Sequence, residues 1–205
     1  MVGRCSRRLV AGYNRWMDDA NDPARRDAVG RLLDGLVPAD RAEARDRDAV
    51  RALLAGAQDP FARDSFEPGH LTASAFVTCG DELLLIWHTK LERWLQPGGH
   101  VDADDADLAA AATRELHEEA GIAGALCHGL LDVDVHGIPD SPKRGEPAHL
   151  HHDVRFWFET DDRRATAGSD AGDVRWVKLD AVTEALTDAS VMRAVAKLRG
   201  LQGGG

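Results

Sequence analysis

Three glutamates lie close together near the middle of the chain, in the run Arg114-Glu115-Leu116-His117-Glu118-Glu119-Ala120-Gly121-Ile122. The alanine-rich stretch before this run, Ala109 to Ala112, favours a helix. At about 100° per residue, Glu115, Glu118 and Glu119 fall within about a third of the helix circumference. Carboxylates this close repel one another unless water or a cation neutralises them, and oxygen ligands suit Mg²⁺ or Mn²⁺. The pattern therefore predicts a divalent-metal site, with a solvated acidic surface as the alternative.

The residues on either side of this helix favour the metal site over the solvated surface. The turn Pro97-Gly98-Gly99 precedes the helix, and Gly121 stands where a helix ends. Arg114 can orient a neighbouring carboxylate. An apolar stripe adjoins the glutamates and can pack on a core. Its residues are Leu108, Ala112, Leu116 and Ala120.

The stretch resembles the signature of the Nudix hydrolases, G-x5-E-x7-R-E-U-x-E-E-x-G-U, in which U is a bulky apolar residue. Arg114 to Ile122 match R-E-U-x-E-E-x-G-U at every position. Between Gly99 and Ile122, however, the chain has one residue more than the signature, and the first glutamate is missing, with Asp105 as the nearest substitute. We interpret the aspartates at the expected start of the helix as caps that favour its dipole, namely Asp102, Asp104, Asp105 and Asp107.

The resemblance implies a metal-dependent hydrolase that cleaves a diphosphate linkage between a nucleoside or related group and another moiety. It implies that Glu118 and Glu119 are the principal metal ligands and that Glu115 is a ligand or the general base. Arg114 would hold a glutamate in place, and the carbonyl of Gly99 could complete the coordination shell. The cofactor would be Mg²⁺, with Mn²⁺ possible.

Further residues are candidates for contact with the substrate. Lys90 and Arg93 precede the double glycine, and His100 follows it directly, so each could touch a phosphate. Glu146, in the loop Gly137 to Pro147, is a candidate for an additional base or ligand, with Asp153 behind it. An ordinary loop charge is an equally open interpretation of Glu146.

Histidines and tryptophans of the predicted strands have plainer explanations. His149, His151 and Asp153 alternate on one strand face, so zinc binding can be imagined, but we favour phosphate contacts or simple polarity. Three tryptophans could stack on a base, yet aromatic residues in strands more often pack in a core, and we assign no role to Trp87, Trp94 and Trp157.

The order of predicted elements indicates an α/β fold. Residues 70 to 199 alternate strands and helices, and the resemblance implies an α/β/α sandwich with a mixed sheet there. The predicted elements are a hairpin (Leu71 to Val77 and Glu82 to His88), strands at Ala125 to Val135, His149 to Thr160 and Val174 to Leu179, and two short helices within Asp180 to Leu198. We divide the chain into a helical extension (1–65), a Nudix-like hydrolase domain (66–200) and a flexible tail (201–205).

The extension before the hydrolase domain contains three helix candidates, around Leu9 to Met17, Val29 to Leu36 and Asp40 to Ala55. Arginine and aspartate alternate along them, which favours solvated outer faces. We interpret the extension as a cap or dimerisation element. A lid that shapes the substrate site is the more specific alternative.

Composition limits the classes of partner. The chain has 205 residues and a formal net charge of −10, which argues against a nucleic-acid-binding surface. A metal can still bridge acidic groups to a phosphorylated small molecule. Three scattered cysteines indicate a reducing compartment, and neither a signal peptide nor a membrane span is evident. We therefore expect a cytoplasmic protein with a small-molecule diphosphate substrate, and a homodimer is an open alternative to a monomer.

Two other functions compete with hydrolysis. The missing first glutamate favours a non-catalytic nucleotide-sensing or regulatory module that reuses the fold, whereas the intact Arg-Glu and Glu-Glu pairs oppose it. A diphosphate isomerase is the third possibility, but its chemistry needs a catalytic cysteine, and neither Cys79 nor Cys127 stands in a suggestive motif.

Overall fold

A seven-stranded mixed sheet with helices on both faces forms the centre of the protein in the computed structural model, which describes residues 23–56, 58–168 and 171–202. In chain order the elements are α1 (Pro23–Asp34), α2 (Arg41–Ala55), β1 (His70–Cys79), β2 (Glu82–His88), β3 (Arg93–Leu95), β4 (Gly98–His100), α3 (Leu108–Ala120), β5 (Leu126–Ile138), β6 (His149–Glu159), β7 (Ala171–Lys178) and α4 (Ala189–Gln202), with a 3₁₀ turn at Leu179–Ala181. The predicted α/β/α arrangement is confirmed.

Strand β1 lies at the middle of the sheet. It pairs in parallel with β6, and β6 pairs antiparallel with β5. On its other edge, β1 pairs with β2 only next to the hairpin turn and with β4 further along, where Ala73 lies opposite Gly99. Strands β3 and β7 both pair with β2. The divergence of β1 from β2 therefore makes room for β4, which carries the double glycine.

Apolar side chains on the two faces of the sheet form two cores. The first core joins α1, α2 and α3 to β1 and β6, and includes Val29, Leu33, Val50, Leu53, Leu116, Leu71, Val154 and Phe156. The second core joins α4 to β1 and β2, and includes Val191, Val195, Leu198, Phe76, Leu83 and Leu85. The helices α1 and α2 thus share a core with α3.

A buried ion pair links the first and last parts of the described chain. Asp40 caps the start of α2, and its side chain accepts a hydrogen bond from the amide of Glu43. The Glu43 carboxylate is fully buried and pairs with Lys197 of α4, which also lies 3.0 Å from Asp132. The earlier helix candidate, Leu9 to Met17, lies outside the described residues.

The predicted hairpin, the helix with the glutamates and the three later strands are present with shifted ends, whereas β3 and β4 were not predicted as strands. The hairpin is confirmed, with Cys79 paired to Glu82. Strand β5 runs to Ile138, beyond the predicted end, because its pairing with β6 continues to His149. The prediction of two short helices after Asp180 was wrong: a 3₁₀ turn is followed by α4 alone. The Asp188 carboxylate accepts a hydrogen bond from the Val191 amide, which fixes where α4 begins.

Candidate active site

Helix α3 is fixed at both ends and along one face. The Asp107 carboxylate accepts a hydrogen bond of 2.8 Å from the Ala110 amide at its start. At its end Gly121 adopts φ 68°, a left-handed conformation that suits glycine, and its amide donates to the His117 carbonyl. Leu108 and Leu116 are buried in the first core. This packing turns Glu115, Glu118 and Glu119 toward β4 and solvent.

The double glycine allows α3 and β4 to approach closely. The Gly98 amide donates a 2.9 Å hydrogen bond to Oε2 of Glu119. A Cβ atom on Gly99 would lie 2.5 Å from Oε1 of Glu115, and one on Gly98 would lie 2.2 Å from Oγ of Ser74. At Gly98 the added atom would also lie 2.9 Å from the Ala73 carbonyl oxygen, so this position requires glycine, whereas at Gly99 it would have to displace the Glu115 carboxylate. The structure therefore brings the double glycine close to Glu115 and Glu119.

Arg114 connects the glutamates to the segment that precedes α3. One terminal nitrogen, Nη1, donates to Glu115 at 2.8 Å and to Glu118 at 3.2 Å. The other, Nη2, donates to the His100 carbonyl at 2.8 Å and to Asp105 at 2.9 Å, while Nε donates to Asp105 at 3.1 Å. The two bonds to Asp105 form a bidentate pair, the geometry that holds a guanidinium most firmly.

The interpretation of four aspartates as caps of the helix was wrong for all but Asp107. Asp105 is 7% exposed, and its carboxylate binds Arg114 and the amide of Asp102. Asp102 lies 3.5 Å from Arg114, and Asp104 is exposed. The turn Asp102–Asp105 stands before the helix, out of reach of its free amides. Asp105 therefore holds Arg114 rather than capping the helix. Its surroundings of other aspartates suggest a cap, whereas its position six residues after Gly99 is the feature of the sequence that sets it apart.

Electrostatics at the glutamates fit a divalent cation. The Glu115 side chain is only 13% exposed, and burial raises its pKa, with the nearby charge of Glu118 acting in the same direction and Arg114 opposing both. Glu118 is 55% exposed and open to a ligand. The side-chain donors are all carboxylate oxygens, the kind that Mg²⁺ and Mn²⁺ prefer. Arg114 offsets only part of the repulsion between the Glu115 and Glu118 carboxylates, and a bound cation would offset the rest.

The other predicted contacts lie at varying distances from this cluster. His100 turns to the opposite face of β4 from Gly99, next to His70 and His151, and burial lowers its pKa to about 4. Glu146 is paired with Arg144 at 2.7 Å and lies 3.9 Å from Arg63. Lys90 and Arg93 are exposed around the β2–β3 turn, beside His88, and contact none of the glutamates within the described ranges.

Asp153 has a structural environment. It is 2% exposed and accepts hydrogen bonds from Thr72 at 3.1 Å, from Ser74 at 2.8 Å and from Arg155 at 2.8 Å. Its neighbours on the same strand face, His149 and His151, instead lie beside His70. Burial lowers the pKa of His70 and that of His151, the latter to about 2, so both imidazoles are neutral near pH 7.

The tryptophans have packing partners rather than an open face toward the site. Trp87 and Trp94 lie with ring centres 5.4 Å apart, and the Arg175 guanidinium covers Trp94. The Trp157 indole donates to Thr78, and its ring stacks on His128.

No helix in the described parts of the chain is long and apolar enough to cross a bilayer.

Comparison with known proteins places this geometry in context. Residues 68–197 match the sequence profile of the NUDIX domain. A protein of Lactococcus lactis subsp. cremoris (strain MG1363), described as a probable DHNTP pyrophosphohydrolase, is 36% identical over 95 residues, which is 46% of this chain and 57% of that protein. The aligned region thus covers little more than half of that relative.

Solved structures share the fold at low sequence identity. The NUDIX domain of Shewanella oneidensis NrtR, complexed with ADP ribose, superposes with a TM-score of 0.50 at 19% identity, over 64% of this chain and 86% of that one. A NUDIX-family hydrolase from Clostridium perfringens gives a TM-score of 0.48 at 22% identity, over 64% of this chain and 97% of that one.

Proposed function

This chain belongs to the Nudix family, and on that basis we propose that it is a metal-dependent hydrolase that cleaves a diphosphate linkage in a nucleoside diphosphate-type substrate, such as a nucleotide or a nucleotide sugar. One observation carries the proposal: Glu115 and Glu119 approach the double glycine from a single helix, and Arg114 joins Glu115 to Glu118. The 36% identity to a protein described as a pyrophosphohydrolase supports the same bond type.

In this proposal the glutamates hold Mg²⁺, or Mn²⁺ in its place. Glu118 and Glu119 are the principal ligands, Glu115 is a ligand or the general base, and the Gly99 carbonyl completes the set. The bound cation would neutralise phosphate oxygens and lower the pKa of water. The donors fit this role because they are carboxylates gathered against a backbone that glycine keeps open.

The remaining residues have roles in holding and orienting groups. Arg114 keeps Glu115 directed toward β4 through its 2.8 Å bond, and Asp105 keeps Arg114 in place. Glu115 would accept a proton from the attacking water if it serves as base, and burial that raises its pKa favours proton acceptance. His100 and Glu146, on the other face of β4, are the proposed contacts with the substrate, and Lys90 and Arg93 are more distant candidates.

The division of the chain in this proposal assigns catalysis to residues 66–200. Residues 1–65 then serve as a cap or dimerisation element, whereas Leu201 and Gln202, expected in a flexible tail, belong to helix α4. The packing of Leu33 and Val50 into the core that also holds Leu116 supports a cap that stabilises the catalytic helix.

A screen of substrates tests the proposal. Purified full-length protein would be incubated with Mg²⁺ or Mn²⁺ and a panel that includes nucleoside triphosphates, nucleotide sugars, dinucleoside polyphosphates, ADP ribose and DHNTP. We expect metal-dependent release of phosphorylated products from at least one compound, detected by ion-exchange chromatography, and none after chelation. Tight binding of a panel compound without turnover under any metal would instead identify a sensing module and reject the hydrolase.

A further inference from the structure

Three histidines from two adjacent strands meet on the face of the sheet opposite α3. The parallel register of β1 and β6 sets His70 directly across from His151, and His149 precedes His151 by two residues on the same face. One ring nitrogen of each of these three side chains lies within 4.8 Å of the others. His70 and His149 are buried, and His151 is partly exposed. The three imidazoles therefore converge on one small volume.

Hydrogen bonds fix the tautomers of two of these imidazoles. Nδ1 of His70 lies 3.1 Å from the Ser65 carbonyl, and Nδ1 of His149 lies 2.7 Å from the Pro147 carbonyl. A carbonyl can only accept, so each Nδ1 carries the proton and each Nε2 retains its lone pair. Metal-binding histidines are typically oriented by such a bond from the other ring nitrogen to a backbone carbonyl.

One of these two lone pairs, on Nε2 of His70, takes part in no hydrogen bond. The atom is buried and has no hydrogen-bond partner among the described residues. Leaving a buried polar atom without a partner is unfavourable, so a packed core would be expected to avoid it. A cation between the three rings would accept this lone pair and remove the cost.

The spacing of the rings also matches ligation by imidazole. Ring centres are 4.8 Å apart for His70 and His151, 5.1 Å for His70 and His149, and 5.2 Å for His149 and His151. With zinc–nitrogen bonds of about 2.0–2.1 Å at tetrahedral angles, imidazole centres fall about 5 Å apart. The His100 ring lies beside the group, with its centre 5.1 Å from that of His70 and 5.2 Å from that of His151.

We propose that His70, His149 and His151 form a second metal site, which takes a borderline-soft dication such as Zn²⁺. Its all-nitrogen donor set separates it from the all-oxygen set of the glutamates, which suits Mg²⁺ or Mn²⁺. The two sites also lie on opposite faces of β4, since Gly99 adjoins Glu115 whereas His100 adjoins the histidines. Phe66 covers the group, with its ring centre 5.0 Å from that of His149. This proposal does not depend on the proposed hydrolase function.

Metal binding to the full-length protein is the direct test. After treatment with a chelator and its removal, the protein would be titrated with Zn²⁺ in competition with a chromogenic chelator. A parallel titration with Co²⁺ would record the visible spectrum. We expect one tight Zn²⁺ per chain, and an intense Co²⁺ spectrum of the kind that four-coordinate nitrogen ligation produces. A weak six-coordinate Co²⁺ spectrum, or Zn²⁺ binding no tighter than that of Mg²⁺, would overturn the proposal.

Variants assign the site to the histidines. His151→Gln should lower Zn²⁺ affinity by about 100-fold or more, because a three-ligand site loses one donor. His128→Gln, at an exposed histidine elsewhere, and Glu118→Gln, at the carboxylates, should bind Zn²⁺ as the wild type does. Equal affinity in the wild type and His151→Gln, or loss of Zn²⁺ in Glu118→Gln, would contradict the assignment.

A second variant guards against misfolding. If circular dichroism shows that His151→Gln is unfolded, His149→Gln takes its place, and the Co²⁺ spectrum of the wild type decides between nitrogen and oxygen ligation without any variant. A loss of hydrolysis in Glu118→Gln with Zn²⁺ binding intact would separate the two sites. Absence of hydrolysis in the wild type would leave the Zn²⁺ result unaffected.

Discussion

Arg114 is the residue on which the geometry of the glutamates depends. Its guanidinium reaches forward to Glu115 and Glu118 on α3 and back to Asp105 and the His100 carbonyl. Asp105 is 7% exposed, so its two bonds to Arg114 are shielded from water and hold the guanidinium in one orientation. The position of the carboxylates proposed as metal ligands is therefore set partly by a residue outside the helix.

Asp105→Asn should lower kcat/KM by about 10- to 100-fold, the usual effect of losing a group that orients metal ligands. The substitution removes the charge that holds Arg114, while the side chain keeps nearly the same size. Steady-state kinetics on the substrate found in the screen would measure the effect, with Asp104→Asn as the matched control because Asp104 is exposed. Equal activity of the two variants would show that Asp105 has no positioning role.

The Asp107→Ala variant tests whether Asp107 caps α3 without taking part in catalysis. Loss of the bond to the Ala110 amide should reduce the free energy of unfolding by about 1 kcal/mol. Urea denaturation would measure it, and activity at low urea should stay near that of the wild type. A larger loss of activity than in Asp105→Asn would contradict the roles assigned to these two aspartates.

At the scale of single residues, the sequence is informative where a pattern of residue types has one predominant physical cause. Like charges at Glu115, Glu118 and Glu119 pointed to a cation, and the structure gathers them beside Gly99. Asp105 was misinterpreted because an aspartate before a helix is usually a cap, and only the fold shows that its carboxylate faces Arg114. The proximity of His70 to His151 was equally hidden, since 81 residues separate them and only the β1–β6 register joins them.

Strand β4 is the element that brings backbone to the glutamates. Its three residues lie between the divergent ends of β1 and β2, and the absence of a side chain at Gly99 lets Glu115 approach. A short strand of this kind has too few residues for a periodic pattern, so the sequence indicated a turn there. The longer β1–β2 hairpin and α3 were predictable because their patterns extend over several turns or alternations.

Gly99→Ala should lower activity by about 100-fold, since a displacement of about 1 Å at the reacting groups can cost that much. The added methyl would lie 2.5 Å from Oε1 of Glu115 and must push it away from β4. Gly137→Ala is the matched control, because nothing lies within 4 Å of a Cβ there. Similar activity of Gly99→Ala and Gly137→Ala would show that the close approach is unimportant.

A buried charge network between β5, β6 and α4 predicts how stability depends on pH. Asp134 lies 3.1 Å from Arg155 and 2.9 Å from His136. Although burial opposes ionisation, these partners, together with Arg193, lower the pKa of Asp134 to about 2. A carboxyl with a lowered folded-state pKa stabilises the protein above its unfolded pKa, and the stabilisation disappears as the pH falls toward the folded value.

The contribution of Asp134 should therefore be complete above about pH 4 and disappear between about pH 4 and pH 2, a change of about 2 kcal/mol. Asp134→Asn is less stable at neutral pH but should lose less stability over that interval than the wild type. Urea denaturation at a series of pH values would compare the two slopes. Parallel slopes would mean that Asp134 does not titrate between those limits.

At the scale of the whole molecule, α1 and α2 belong to the same core as α3. Leu33 and Val50 are fully buried in the core that also holds Leu116 of α3, and Glu43 is paired with Lys197. The sequence indicated helices here because their apolar spacing is regular. It could not indicate what they pack on, since mixed arginine and aspartate residues fit a lid, a dimer contact or a cap equally well.

Leu33→Ala should reduce the free energy of unfolding by about 2–5 kcal/mol, as for other fully buried leucines. Val37→Ala, at a neighbouring residue that is 86% exposed, should change it by less than about 0.5 kcal/mol. Thermal or urea unfolding of both variants makes the comparison. If Leu33→Ala matched Val37→Ala, the first two helices would be a loosely attached lid rather than part of the core.

The central claim is that the glutamates of α3 hold a divalent cation for hydrolysis of a diphosphate bond. Its most direct test is turnover as a function of Mg²⁺ concentration for the wild type, Glu118→Gln and Glu184→Gln, the last being an exposed glutamate away from the site. We expect Glu118→Gln to lose about 100-fold or more in kcat/KM, because metal stabilisation of the transition state contributes several kcal/mol. Glu184→Gln should follow the wild type. Undiminished, Mg²⁺-independent turnover in Glu118→Gln would contradict the account.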